Sequence, residues 1–354
     1  MSSNHAGSNL FGGVLVLLLV GGLAYVVTQT NRNTLPAQGG SDSSIVPEGL
    51  PATTDADTTP TPTQATTPTV SSQMPSLLYL KSVATGAQLI KRDNAAKETV
   101  LFTDSDSKLK LSTVLGIVDD KAVSILSDDD EQSQLAEILL DGTGKTNILN
   151  ANFGGIAGAA LRETTKKVAF TVFDNSERNF GFTLTQEQFD GSGRTTIDQD
   201  TQGISLPIWS QSGTTLAYVK GQSTPDAGQE IRNASDGSNP KTVYKLAKNT
   251  VVTDLVWLND QALIYVVEPL GDATQNKAKT MILHIDSGEQ KDLFDLPGKE
   301  RSLAVSKDGG WLAAITGDVD QSGAGSGKLM LIELSSGKQT VLGSADSVGS
   351  WINQ

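Results

Sequence analysis

Short runs of apolar residues separated by polar turns recur along the second half of the chain. Two neighbouring copies of the pattern begin at Gly203 and Thr250. In each copy an apolar run ends on a tryptophan (Trp209, Trp257), and a polar turn and an aliphatic run with a tyrosine follow. A third short strand, a turn with Asp and Gly, and a last short strand complete the copy. Four short strands repeated at a fixed period are typical of one β-propeller blade, so the repetition predicts an all-β propeller.

The pattern continues in both directions from this pair. First strands are predicted near Leu111, Ile156, Ile204, Val252, Ser302 and Ser347, about 45 to 50 residues apart, which is a propeller spacing. The last of them is a lone first strand around Trp351, whereas residues 77–104 have the pattern of second, third and fourth strands without a first. A sixth blade assembled from both termini leaves no open edge between the first and last blades. We therefore predict a six-bladed β-propeller over residues 76–354, closed by N- and C-terminal strands.

The residues before the propeller begin with a short tail, residues 1–9, and an apolar segment. Leu10 to Val27 is a continuous apolar run, and no charged side chain occurs from Met1 to Asn31. As a helix this run is about 27 Å long, close to the thickness of a bilayer's hydrocarbon core. We predict an uncleaved transmembrane helix over residues 10–30. A cleaved signal peptide with its site at residues 22–24 is the alternative, although the apolar run continues past that site and no Lys or Arg precedes it.

Residues 31–75 are rich in Thr, Ser and Pro, and they are predicted to form a disordered, semi-extended linker. Linkers of this composition join membrane helices to surface-exposed domains. Arg32 taken alone favours a cytoplasmic position for the carboxyl-terminal side of the helix. We give the linker composition more weight than one charge and predict a single-pass protein of the cell membrane whose propeller is extracytoplasmic.

Charge and cysteine content exclude several classes of function. The chain has 27 Lys and Arg against 40 Asp and Glu, a formal net charge of −13. Binding of nucleic acid through its phosphates needs a basic face, so a nucleic-acid partner is not expected. The chain has no cysteine, which removes disulfides, thiol catalysis and cysteine-ligated metals.

Two segments carry a resemblance to a known family. They are W-S-Q-S-G-T-T-L-A-Y (209–218) and N-A-S-D-G-S-N-P-K (233–241), and residues 306–310 and 258–260 are weaker copies of the first. These segments resemble the WD40-like repeats of TolB-type six-bladed propellers. Members of that family include periplasmic binding proteins and the propellers of some serine peptidases. The resemblance therefore implies a fold and does not by itself imply an activity.

Two motifs suggest ligand loops at first sight. Residues 141–146 (D-G-T-G-K-T) resemble a phosphate-binding loop, but Leu139 stands where the motif needs its first glycine. We interpret the segment as a hairpin turn. Residues 318–323 have the alternating oxygen ligands and glycine of a calcium loop, but Leu329 occupies the position of the bidentate acid. A glycine-rich excursion between strands explains this segment without a metal, and we predict no metal and no cofactor.

Candidate catalytic residues are few. The only histidine of the propeller segment is His284, so a Ser-His-Asp relay there has no other base available. His284 falls in a predicted third strand, away from the axis, and we interpret it as structural. The acid pairs Asp104/Asp106 and Asp119/Asp120 are interpreted as turn residues, because such pairs are frequent in turns and nothing singles out a glycosidase pair. We predict no catalytic residue.

The tryptophans recur with the blades. Trp209, Trp257 and Trp351 hold the same position in their repeats, so we predict that they pack one blade against the next. A mouth on which sugars stack is the alternative for these rings. Trp311 begins a predicted second strand and is interpreted as a core residue.

The sequence thus predicts a membrane-anchored extracytoplasmic propeller that acts as a binding or scaffolding module. Its partner would be a protein or another component of the cell envelope. A hydrolase or lyase with a carboxylate- or metal-based site in the axial funnel is the alternative, and a regulatory propeller acting on a partner in the same membrane is a third hypothesis.

Overall fold

The structure is a computed structural model that describes most of residues 74–352 and two short stretches before them. The described ranges are residues 14–20, 23–29, 74–84, 86–104, 110–127, 133–150, 156–174, 176, 180–221, 228–270, 278–294, 299–317 and 327–352. In these ranges no helix has both the length and the apolar character needed to cross a membrane.

The apolar segment near the amino terminus is not helical where it is described. Strands β1 (Val14–Val20) and β2 (Leu23–Gln29) pair as a two-stranded sheet. Valine is abundant in both strands, and its β-branched side chain favours extended structure. A short, wholly apolar run also lacks the polar face by which periodicity separates a helix from a strand. The tail (residues 1–9), the rest of residues 10–30 and nearly all of the linker lie outside the described residues, so the membrane anchor stays a prediction.

Residues 76–352 form six four-stranded antiparallel sheets, which confirms the predicted six-bladed propeller. Strands β3 (Ser76–Val83), β4 (Gly86–Arg92) and β5 (Glu98–Asp104) come first and belong to the closing blade, blade 6. Blade 1 comprises β6 (Lys110–Val118), β7 (Lys121–Ser127), β8 (Ser133–Leu139) and β9 (Lys145–Asn150). Blade 2 comprises β10 (Ile156–Arg162), β11 (Lys167–Asp174), β12 (Gly181–Gln188) and β13 (Thr195–Asp200), with a 3₁₀ turn at Glu163–Thr165 after β10.

The remaining blades follow the same order. Blade 3 comprises β14 (Ile204–Trp209), β15 (Thr215–Lys220), β16 (Glu230–Ser235) and β17 (Ser238–Lys245). Blade 4 comprises β18 (Thr250–Asn259), β19 (Ala262–Pro269), β20 (Lys279–His284) and β21 (Gln290–Phe294). Blade 5 comprises β22 (Lys299–Val305), β23 (Trp311–Gly317), β24 (Gly327–Glu333) and β25 (Lys338–Ala345).

The last strand closes the ring as predicted. β26 (Ser347–Ile352) pairs antiparallel with β3, and Trp351 lies opposite Leu77. The pairing restores the repeat, because Tyr79 of β3 takes the position that Tyr218 and Tyr265 take in blades 3 and 4. Blade 6 is therefore an ordinary blade whose first strand comes from the other end of the chain.

The apolar core is divided into six clusters, one at each seam between neighbouring blades. The cluster between blades 5 and 6, for example, contains Ile315 and Leu331 from one side and Tyr79 and Trp351 from the other. Each blade is apolar on both faces because each face packs on a neighbour. Burial of this kind is the main favourable contribution to folding.

The first strand of every blade lies innermost, and each carries a β-bulge. Leu206 and Ser302 adopt left-handed backbone conformations at these bulges, with φ of 51° and 57°. A bulge bends its strand and redirects a side chain. The six bulges therefore bring the first strands side by side around the axis.

Substitutions at Trp351 test the closure. We expect Trp351→Ala to lower the free energy of unfolding by about 3 to 5 kcal/mol, because it opens a cavity at the closing seam. Trp351→Phe keeps most of the packing and should lose only about 1 kcal/mol with the indole hydrogen bond. Denaturant unfolding of both variants measures the difference. Val341→Ala, on the exposed outer strand β25, is the control, and equal losses in all three variants would contradict a closing role.

Candidate functional site

All six blades contribute to a cavity on the axis. It lies at the end where each first strand turns into the second, and its volume is about 170 Å³. We call it the axial cavity. Each first strand contributes at least one aliphatic or small residue to its wall, among them Leu115, Leu161, Ile208, Val256, Leu303 and Gly349. Because these residues come from rigid strands of every blade, the cavity exists only in the closed ring.

The three recurring tryptophans pack the blades together and also border the axial cavity. Their exposed fractions are between 2% and 6%. The Trp257 Nε1 donates to the carbonyl of Ile208 at 3.0 Å, and the Trp351 Nε1 donates to the carbonyl of Ala304 at 3.0 Å. Each of these bonds joins a blade to the one before it. The predicted packing role is confirmed, while the deep burial leaves little ring surface for a sugar. Trp311 is partly buried against the seam of blades 5 and 6.

Blade 2 departs from the pattern. Arg162 is the last residue of its first strand, one position after Leu161, and Leu161 holds the place of the tryptophans of blades 3, 4 and 6. Its guanidinium lies over the Trp209 ring, 4.9 Å from the ring centroid, and its Nη1 donates to Asp236 in the β16–β17 turn. An arginine therefore covers an indole on the wall of the cavity.

The turn of blade 3 that carries the family-like motif reaches over two other blades. The Gln211 Nε2 lies 3.2 Å from the carbonyl of Leu258 and 3.4 Å from the carbonyl of Ser306. The amide of Ser212 donates to the Asp260 carboxylate at 3.1 Å. These bonds tie the turns of blades 3, 4 and 5 together at the mouth of the axial cavity.

Of the residues that the structure describes, three with charged side chains line the axial cavity: Arg162, Glu163 and Lys307. The Glu163 carboxylate accepts a hydrogen bond from the amide of Ile117 at 3.3 Å, which directs it toward blade 1. Arg162 and Lys307 come from blades 2 and 5, on opposite walls of the cavity, so its described side chains carry two positive charges against one negative charge. This local charge runs against the acidic charge of the chain.

A carboxyl group that the sequence reasoning did not single out lies on the inner ring. Asp254 sits at the bulge of β18, and its oxygens accept hydrogen bonds from the amides of Leu255 and, in the next blade, Leu303. Burial raises the pKa of Asp254 to about 7, although its hydrogen bonds to backbone amides act in the opposite direction. The carboxyl group thus joins blades 4 and 5 and titrates close to neutrality.

A second polar cluster joins blades 2 and 3. The Asp198 carboxylate accepts hydrogen bonds from the Tyr218 hydroxyl at 2.5 Å, the Lys220 ammonium at 2.8 Å and the Arg232 guanidinium at 2.7 Å. Burial disfavours the charged form of Asp198, but the bonds from Lys220 and Tyr218 outweigh it and hold the pKa of that carboxyl below its usual range. Burial, with the bond to Asp198, raises the pKa of Tyr218. The cluster lies at a seam and not on the cavity wall, so its role is structural.

Two of the predicted turns are confirmed, whereas the prediction for Asp104 is wrong, because it is the last residue of β5 and not a turn residue. Residues 140–144 connect β8 and β9, and the Thr143 hydroxyl and amide both donate to Asp141. Asp119 and Asp120 have φ of 50° and 58° and form the two-residue turn between β6 and β7, as expected for the twist of a tight hairpin. Asp104 is buried and accepts from the amide of Leu111, which joins blades 6 and 1.

His284 is the last residue of β20, the third strand of blade 4, and its side chain is exposed. The predicted strand position is confirmed. Asp106 and the calcium-like segment, residues 318–323, lie outside the described residues. Among the residues that are described, no three His, Asp or Glu side chains are close enough to hold a metal ion together.

The residues that shape the cavity were only partly visible in the sequence. Aligning the repeats does show that Arg162 is a charged residue directly after the tryptophan position, and that Asp254 is an acid within an otherwise uncharged part of a first strand. What the alignment does not show is that the arginine covers the next blade's indole. That contact depends on how two blades meet, which no single repeat encodes.

No protein-family model matches the chain, and no curated protein matches it. Solved structures do align with it. TolB from Acinetobacter baumannii is 13% identical over 78% of this chain and 66% of that chain, with a TM-score of 0.57. A chain of a nidogen/laminin complex is 14% identical over 78% of this chain and 96% of that chain, with a TM-score of 0.53. An oligogalacturonate lyase in complex with manganese is 16% identical over 75% of this chain and 73% of that chain, with a TM-score of 0.50.

These similarities concern the fold. At such identities the likeness carries no activity from one protein to another, because six-bladed propellers serve many functions. The predicted TolB-like six-bladed propeller is confirmed.

The titration of Asp254 gives a prediction for stability against pH. The pKa of the carboxyl in the unfolded chain is near its ordinary value of 3.8, whereas in the folded protein it is near 7. The stability contributed by the protonated group is therefore complete below the lower value and is lost as the pH rises through the higher one. We expect Asp254→Asn, which cannot ionise, to gain stability relative to wild type by up to about 4 kcal/mol between pH 4 and pH 8.

Denaturant unfolding across that pH range measures the gain, and Asp286→Asn, in an exposed turn of the same blade, is the matched control. If Asp254→Asn instead loses stability by the same amount at every pH, the backbone amides hold an ionised carboxylate and the prediction is wrong.

For the polar cluster at the seam of blades 2 and 3, stability should depend on pH in the opposite direction. Asp198→Asn leaves the charges of Lys220 and Arg232 without their main partner and should cost about 2 to 4 kcal/mol at neutral pH. The pKa of Asp198 is lowered in the folded protein, so its contribution is present above the unfolded pKa and is lost as the pH falls. The variant and wild type should therefore converge in acid. Asp286→Asn, in an exposed turn of blade 4, should behave as wild type, and a pH-independent loss in Asp198→Asn would count against the charge argument.

Proposed function

We propose that the protein is a binding or scaffolding propeller whose axial cavity and surrounding turns take up part of a protein or of another cell-envelope component. The observation that carries this proposal is the composition of the cavity wall. Aliphatic residues from the first strands and three indole rings surround a few polar groups, among them Gln211, Ser350 and Lys307. A mainly apolar wall with a few placed polar groups is typical of a site that binds.

The rigidity of the frame supports a binding role. The turns around the cavity are tied to one another, as by Gln211 to the carbonyls of Leu258 and Ser306. A site held in one shape loses little conformational freedom when it binds. A partner would therefore meet a surface that is already in its binding geometry.

The structural neighbours are compatible with a protein partner. One of them was solved as a nidogen/laminin complex, which is an association between proteins. TolB, another of these neighbours, is similar to this chain in fold. The likeness supports the proposal only as an example of what this architecture can do.

The proposal includes attachment to the membrane. Its support is the uncharged apolar run Leu10–Val27 and the Thr-, Ser- and Pro-rich linker of residues 31–75. In this arrangement the propeller acts outside the cytoplasmic membrane, at the end of the linker.

Protease treatment of intact cells tests the location. We expect protease added outside to remove the propeller from the full-length chain while a cytoplasmic marker stays intact. The reason is that a linker of this composition is open to cleavage. Digestion that occurs only after the cells are lysed would place the propeller on the cytoplasmic side.

Site-directed photo-crosslinking of the full-length chain tests the binding site. Lys307 is exposed and lines the axial cavity, whereas Lys338 is exposed at the start of the outermost strand of the same blade. We expect a crosslinker at position 307 to yield a discrete adduct and one at position 338 to yield none. The same adducts at both positions, or none at either, would contradict binding at the cavity.

The hydrolase or lyase alternative predicts a different experimental result. In the described part of the chain, Glu163 is the one carboxylate on the cavity wall, and a lyase of this fold was solved with manganese. A rise in melting temperature with manganese that Glu163→Gln abolishes would favour the enzyme over the binding module.

A further inference from the structure

The indole N–H groups at the blade seams are not all satisfied. In blades 4 and 6 the tryptophan Nε1 donates to a carbonyl of the preceding blade. Trp209 holds the same position in blade 3, but its Nε1 is buried and donates to none of the residues that the structure describes. One of these three donors thus has no acceptor within the described ranges, at the seam with blade 2.

A second buried donor without an acceptor lies next to the Trp209 indole. The Nε of Arg162 is buried and has no partner in the described part of the chain. Several buried polar side-chain atoms lack a partner there, but only those of Arg162 and Trp209 belong to residues that line the axial cavity. Leaving a buried donor unpaired costs about 1 to 3 kcal/mol. Two neighbouring unpaired donors on a cavity wall indicate an acceptor supplied from outside the chain.

The space beside Arg162 is kept open by a glycine. A Cβ atom added to Gly213 in the turn of blade 3 would lie 3.3 Å from the Arg162 Nε and 2.9 Å from the Thr164 hydroxyl. Gly213 has φ of 72°, a conformation that other residues rarely adopt. The turn therefore leaves a space beside the Arg162 Nε, which a side chain at position 213 would fill.

We propose that the axial cavity binds a carboxylate, whose oxygens accept hydrogen bonds from the Arg162 Nε and the Trp209 Nε1. Arginine and a planar carboxylate match in geometry and charge, and hydrogen bonds between charged groups are about twice as strong as neutral ones. Lys307 adds a second positive charge to the wall, and Glu163, the one acid among its described residues, is directed toward blade 1. A volume of about 170 Å³ holds a carboxylate with a short chain. This inference deepens the proposed function and rests on it.

The stacked arginine must move for the ligand to enter. Its ion pair is with Asp236, whose side chain is 72% exposed, and an exposed pair is weak because water screens it. Because the Arg162 side chain itself is only 12% exposed, moving the guanidinium from the ring toward the cavity costs chiefly its stacking on Trp209. This movement exposes the Arg162 Nε and the Trp209 Nε1 to the cavity at the same time, so both donors become available to the ligand.

Indole resonances in proton–nitrogen NMR spectra of the full-length chain test the proposal directly. The chain has four tryptophans, and Trp209→Phe assigns the relevant resonance. The probes are acetate, a short peptide with a free carboxyl terminus, and the same peptide with its terminus amidated. We expect the Trp209 resonance to move with acetate and with the free peptide and to stay in place with the amidated one. Much tighter binding of the peptide than of acetate would identify a chain terminus as the source, and equal binding would identify a small free acid.

Variants separate the site from the charge of the surface. Arg162→Gln should weaken binding about tenfold or more, since it removes a charge-assisted bond. Lys166→Gln is the matched control, because Lys166 follows the same 3₁₀ turn but pairs with Asp119 and does not line the cavity. Trp311→Phe, which loses an indole whose buried N–H also lacks a partner among the described residues but which does not line the cavity, should leave the affinity for the probes unchanged.

Three results would overturn the carboxylate site. They are no movement of the Trp209 resonance with any carboxylate, equal affinity in Arg162→Gln and wild type, and a larger response to sulfate than to acetate. The first result is read on wild type and does not depend on whether a variant folds. Crosslinking through position 307 without a response to carboxylates would reject this inference and leave the binding role standing, whereas loss of both would reject the two together.

Discussion

Every part of this structure depends on the packing of each blade against two neighbours. A single four-stranded sheet with two apolar faces cannot hide them from water by itself. Six such sheets hide all of them only when the ring is closed, and the pairing of β26 with β3 closes it. The seam between blades 5 and 6 is filled from both ends of the chain, by Tyr79 from one end and Trp351 from the other. Loss of either strand would therefore expose two seams.

The same constraint shapes the axis. The first strands of six blades must lie side by side in a narrow ring, and each has a β-bulge there. Close approach also selects small residues, since a Cβ atom at Gly349 would lie 2.8 Å from Val114 of the next blade. Where a polar group enters the ring it bonds to the neighbouring strand, as Asp254 does to the amide of Leu303. The axial cavity is what remains at one end of this ring.

The candidate binding groups lie at the seam where the hydrogen-bonding pattern of the blades is interrupted. In blades 4 and 6 the tryptophan of the first strand donates its N–H to the preceding blade. At the seam of blades 2 and 3 the Trp209 indole is instead covered by the Arg162 guanidinium, and both side chains have a buried N–H without an acceptor among the described residues. Because the blades repeat one pattern, a seam that lacks the usual tryptophan hydrogen bond can be recognised by comparison with the others. A departure that leaves buried donors unpaired indicates a function, because it lowers stability without any gain in packing.

The number of blades, the order of their strands, the closing pair and the turn character of residues 119–120 and 141–146 were all determined by the sequence itself. Alternation and repeat spacing are local properties, and each blade repeats them. The hairpin of β1 and β2 was not foreseen, because an apolar run without polar positions has no periodicity to read. Only the tertiary structure decided that Arg162 covers Trp209, that Asp254 reaches the next blade and that residues from all six blades enclose a cavity. These contacts join residues about 50 positions or more apart in the chain, and their geometry follows from the angle and distance at which two blades meet, which only the closed ring sets.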